Sequence, residues 1–107
     1  MSWIFLILAG IMEIGWPLGM KYAWQNNKFN LFPAIISVVA MALSGLFLFY
    51  AQKGIPIGTA YVVWTGIGAI GTFTLGIILF DEPAKIMRIL SVSLILMGIV
   101  GLKITSN

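Results

Sequence analysis

The two longest stretches without a charged residue, Leu31 to Ala51 and Ile55 to Phe80, leave this chain few ways to fold. At about 1.5 Å of rise per residue, a helix of either length crosses a hydrocarbon core about 30 Å thick. A third stretch, Trp3 to Met20, is interrupted only by Glu13. A fourth, Ile89 to Leu102, has 14 residues between Arg88 and Lys103. That length also suits a buried soluble helix. Two arguments favour a span: the flanking basic side chains can extend their charged heads to opposite interfaces, and the sequence holds no soluble domain to bury it. The composition agrees, with 61% hydrophobic and 8% charged residues, against about one quarter charged in soluble domains.

The expected fold is therefore an all-α membrane protein, a single domain over residues 1–107 with helices near 3–21, 31–51, 57–80 and 86–104. Short connections join them. AWQNNKFN is a polar loop, while QKGIP and DEPAK carry Gly or Pro as punctuation. No internal repeat is evident. No Lys or Arg precedes the first run and no A-x-A-like site follows it, so it reads as a retained helix rather than a cleaved leader.

Several chemistries are excluded by what the chain lacks. With no cysteine and no histidine there is no disulfide framework, no thiolate nucleophile and none of the usual metal ligands. No nucleophile–base pair can be assembled, so an enzyme is not expected, nor is a metal or cofactor. The net charge of +3 comes from Lys21, Lys28, Lys53, Lys85, Arg88 and Lys103. One or two lie at each predicted helix end, marking interfaces with the lipid bilayer rather than a patch for nucleic acid. With an even number of spans, Lys53 and Lys103 fall on one side and the other four on the opposite side. Four against two is a small orientation bias, and the chain is expected to insert both ways.

Glu13 lies near the midpoint of the first helix, where a charge costs about 3 kcal/mol on insertion scales. Such a residue marks a pathway by default; the plainer reading is a protonated carboxyl bonding a neighbouring helix. Trp16, one turn later, could bring its indole N–H to the carboxylate. Pro17 has no N–H to give the carbonyl of Glu13, which frees that acceptor beside the acid. In the second helix Ser37 and Ser44 share a face; alone, membrane serines more often pack or bond their own helix. The third helix adds Tyr61 and Trp64, three residues apart, with Thr65 and Thr72 as a further pair. Tyr61 also suits an interfacial belt. Gly66, Gly68 and Gly71 spell GIGAIG, but a dinucleotide fingerprint needs a strand before it and a helix after it. Inside an uncharged membrane-length run these glycines read as close-packing or hinge positions, as do Gly98 and Gly101 in the fourth helix.

One acid in four spans can hardly make a pathway alone, whereas a self-associated pair brings two copies of Glu13 together. Two carboxylates in one low-dielectric site take up either protons or a cation. Competition of that kind couples inward proton movement to outward cation movement, if only loaded states switch their opening from side to side. A guanidinium group matches a carboxylate through two parallel N–H···O bonds, whereas a quaternary ammonium relies on aromatic faces. Both kinds of contact are present.

AGIMEIGW, the following MKY, PIGTAYVVWTGIGAIG and the terminal GIVGLK together resemble the small multidrug resistance family over essentially the whole chain. The guanidinium-exporter branch is the nearest match, through Trp16 and the GLK ending at Lys103. The resemblance implies an antiparallel, dual-topology homodimer in the bacterial inner membrane that exchanges protons for guanidinium. It implies that Glu13 is the shared proton and substrate ligand and that Trp16, Ser44, Tyr61 and Trp64 surround it. Gly66, Gly68 and Gly71 match a bending region, and Gly98 and Gly101 a dimerisation helix. Two positions depart from the family pattern: Pro17, usually a small aliphatic residue, and Gly45, usually larger and here expected to widen a lateral opening to substituted cations. The alternatives are a broad exporter of quaternary ammonium and lipophilic cations, and a non-transporting subunit of a heteromeric membrane complex.

Overall fold

A computed structural model describes residues 1–105, so the last two residues of the expected domain lie outside the described residues. Four helices form: α1 (Ser2–Ala23), α2 (Leu31–Ala51), α3 (Ile57–Phe80) and α4 (Ile86–Thr105). All four are long and apolar enough to cross a membrane. Between α1 and α2 the polar loop makes a small antiparallel hairpin of β1 (Trp24–Gln25) and β2 (Lys28–Phe29). Its turn residues Asn26 and Asn27 have φ of 55° and 58°, the left-handed pair that a tight hairpin demands and that asparagine tolerates. The hairpin also completes α1, because the backbone N–H of Asn30 bonds the Ala23 carbonyl at 2.7 Å and its side-chain amide bonds the Tyr22 carbonyl at 3.1 Å. Orphan carbonyls at the helix end are thereby satisfied. At the far end of α3, Asp81 turns left-handed with φ 52° and Pro83 follows, which stops the helix.

Lipid gives no hydrophobic drive between helices, so close packing over small residues must hold them. The central element is α1, which lies against both α2 and α3, while α4 rests on α3. Toward α2, Gly15 faces Ala40, and Gly19 faces Ser37 and the Pro33 carbonyl. Toward α3, Gly10 takes Ile67, Gly68 takes the Glu13 side chain, and Gly71 takes Ile14. Gly66 takes Ile99 of α4. These pairings rise together along α1 and α3, so the two helices run parallel. The ends agree: Lys21 lies over the Phe80 ring at 5.4 Å, and Lys103 over Trp3 at 5.1 Å.

A buried cluster of Leu6, Ala51, Ile55, Ala60 and Val63 closes the Lys103 end. Elsewhere the molecule is thin, with extents of 48 × 34 × 16 Å, and a single helix with its side chains is already about 10–12 Å across. Its accessible surface is 7002 Å², where a compact chain of this mass exposes about 5,900 Å². Among the described residues α4 buries none, and a Cβ at Gly98 or Gly101 would meet nothing within 4 Å. Both glycines thus face away from this chain, unlike Gly66, Gly68 and Gly71 of α3.

Candidate functional site

Glu13 sits half-buried on the side of α1 between α2 and α3. Its methylene groups occupy the space left by Gly68, where an added Cβ would fall 2.6 Å from Cγ. Glycine at 68 is therefore what lets the carboxylate lie along α3. Its Oε1 is 3.3 Å from the Ser44 hydroxyl, which is 1% exposed. That hydroxyl donates to the Ala9 carbonyl at 2.8 Å and accepts from the Trp64 indole N–H at 2.8 Å. A hydroxyl has one proton, so the shorter bond to Ala9 holds it here and the carboxylate stands as the second acceptor in reach. Ser44 thus ties α1, α2 and α3 together at the level of the acid.

The carboxylate opens into a cleft of about 280 Å³ lined by Glu13, Pro17, Thr65, Gly68, Ala69 and Thr72. An adjoining groove of about 260 Å³ shares Thr65 and Ala69 and continues past Tyr61 to Ile95 of α4. Tyr61 is more than half exposed, with its ring 5.5 Å from that of Trp64. Tyr61 lines that adjoining groove, while Trp64 reaches the acid through its bond to Ser44. Of the residues expected around Glu13, the fold brings Ser44 and Trp64 into hydrogen-bonded contact and Tyr61 to the adjoining groove. Trp16 differs, since its backbone carbonyl accepts a bond from Ser37 and, among the described residues, its indole bonds neither Glu13 nor any other group. Gly45 is adjacent to Ser44 with nothing within 4 Å of an added Cβ. By helical spacing it continues the stripe of Val38 and Met41.

Thr65 and Thr72 were legible only as a same-side pair. What the sequence could have added is that Gly68 lies between them, three and four residues away, so whatever fills its space is flanked by two hydroxyls.

The family model for Small Multidrug Resistance protein matches residues 1–95. The chain belongs to the small multidrug resistance family. It is 54% identical over 106 residues to the "Guanidinium exporter" of Yersinia pseudotuberculosis, covering 99% of this chain and all of that one. The corresponding protein of Proteus vulgaris is 52% identical over the same length, and that of Escherichia coli (strain K12) 47% identical over 107 residues, the full length of both. As a member of the small multidrug resistance family with four membrane-length helices, the chain is a multi-pass protein of the inner membrane.

Proposed function

We propose that this chain exports guanidinium in exchange for protons, as an antiparallel homodimer in which both compete for Glu13. The observation that carries the reading is the Glu13 carboxylate, placed mid-span in a small cleft beside Ser44 and Trp64, in a chain whose full-length relatives are named guanidinium exporters. A planar guanidinium can give two parallel N–H···O bonds to that carboxylate. Protonation removes the charge that holds the cation, so proton and cation displace one another without any chemical change in the cargo. Alternating access follows if the site switches sides when loaded and stays put when empty and charged. Protons entering down their gradient then drive the cation out.

A second copy is supported by the thinness of the chain, by the cleft that opens along α1 and α3, and by the outward-facing Gly98 and Gly101 of α4. Export of quaternary ammonium cations is the second reading, favoured by the tilted Tyr61–Trp64 ring pair beside the acid. Vesicles holding only the purified chain decide between them. Guanidinium added to one side should drive proton movement, with little response to tetramethylammonium. Equal responses favour the second reading, and silence from a folded sample removes both.

The basic residues stand on both sides, with Lys21, Lys28, Lys85 and Arg88 opposite Lys53 and Lys103. Four against two is a small bias, which supports insertion in both orientations. Carboxyl-terminal fusions to two reporters, each active on one side of the membrane only, should both give signal. Activity from a single reporter would leave the dimer without its antiparallel partner.

A further inference from the structure

We infer that Thr72, together with the carbonyl of Glu13 that Pro17 leaves free, forms a second, neutral acceptor pair that binds the third arm of a guanidinium ion. The inference rests on the export reading above and assigns part of its selectivity. Because α1 and α3 run parallel and Glu13 lies over Gly68, residues four further along each helix stand level with one another. Those residues are Pro17 and Thr72, each about 6 Å toward the Lys21 and Phe80 end, and both line the same cleft as the carboxylate.

The sequence supplies two acceptors at that level. An α-helical carbonyl points toward the carboxyl end of its helix, so the oxygen of Glu13 is directed at residue 17, and proline has no N–H to occupy it. Thr74, two residues along and lining a groove between α3 and α4, spends its hydroxyl on the Ile70 carbonyl. Thr72 makes no such bond among the described residues. A guanidinium that gives two N–H groups to the carboxylate turns its third nitrogen away from it, and that nitrogen carries two further donors needing acceptors. The Thr72 level supplies them on one side of the acid. A cation whose third arm carries one alkyl group offers this pair a single donor, and one with no N–H at all offers none, and a low-dielectric site penalises unmatched polar groups.

Guanidinium chloride titrated into the purified full-length chain, followed by tryptophan fluorescence, tests this with Thr72→Val, Thr72→Ser and Pro17→Ala. Valine keeps the shape of threonine and removes the hydroxyl; serine does the reverse. Thr72→Val should weaken guanidinium binding roughly tenfold, and Thr72→Ser should stay within about twofold of the parent. Pro17→Ala, which restores an N–H to the Glu13 carbonyl, should weaken it as well. A packing role would invert the first two, with valine tolerated and serine impaired; that order, or parental affinity in Thr72→Val, overturns the inference. Absence of guanidinium binding in the parent chain would be a different result, removing the export reading itself.

Discussion

Glu13→Gln should abolish guanidinium-driven proton movement in vesicles and weaken guanidinium binding by about a hundredfold or more. Glutamine keeps the volume of the side chain, its seat over Gly68 and a carbonyl oxygen for Ser44, so the helices have no reason to move. What it removes is the negative charge and the exchangeable proton. Both losses have separate signatures. In the parent, guanidinium affinity should fall as pH is lowered, because protons take the same oxygens; in Glu13→Gln the residual affinity should be flat with pH. A variant that still moved protons, or still showed pH-dependent binding, would place the coupling elsewhere. Asp81 and Glu82, the only other acids, sit at the end of α3 and beyond the span. Neither can report on a mid-membrane site, which makes the Glu13 result unambiguous.

The reason Glu13 could be found without a structure is that lipid makes the rule simple. In a run of apolar residues a lone carboxylate is expensive wherever it points, so its presence alone argues a purpose. Three of the four helices were legible on the same ground, since runs of span length with at most one charge have few other outcomes. The fourth, 14 residues between Arg88 and Lys103, also needed those two side chains to reach the interfaces. Details that depend on how one helix is rotated against another were not. Trp16 is one turn from Glu13, but it meets α2 through its carbonyl and not the acid through its indole. Gly66, Gly68 and Gly71 share one motif yet face three different partners, Ile99, Glu13 and Ile14. Periodicity gives the angle between residues on one helix, whereas the neighbour at each angle is decided by tertiary packing. The hairpin escaped for another reason. Strands of two residues are too short to show alternation, and only the paired asparagines signalled the turn.

Gly19 shows how far the site depends on packing that never touches it. A Cβ at this position would come within 2.8 Å of the Ser37 Cβ, 2.9 Å of the Pro33 carbonyl oxygen and 3.0 Å of the Ser37 Cα. Two of the three are backbone atoms, so no side-chain rotation relieves the contact and α2 has to move away from α1. Overpacking of this kind costs about 1–3 kcal/mol, and separation also threatens the bond from Ser37 to the Trp16 carbonyl, worth about 1 kcal/mol. Alanine's better helix propensity offsets about 1 kcal/mol. Gly19→Ala should therefore destabilise the fold by about 1 to 3 kcal/mol, read from reversible unfolding in detergent. The same change at Gly45, on the same α2 helix as Ser37 but facing open space, has only the propensity gain and should be neutral or stabilising. Opposite signs for one chemical change would locate the effect in the α1–α2 contact; equal stability of Gly19→Ala and the parent would show that the two helices are not held by it. The consequence reaches the acid because Ser44 is two turns along α2 from Ser37. Moving α2 outward lengthens the Ser44 contacts with the Ala9 carbonyl, Glu13 and Trp64 together, so guanidinium affinity should fall in a variant whose altered residue is nowhere near the cation.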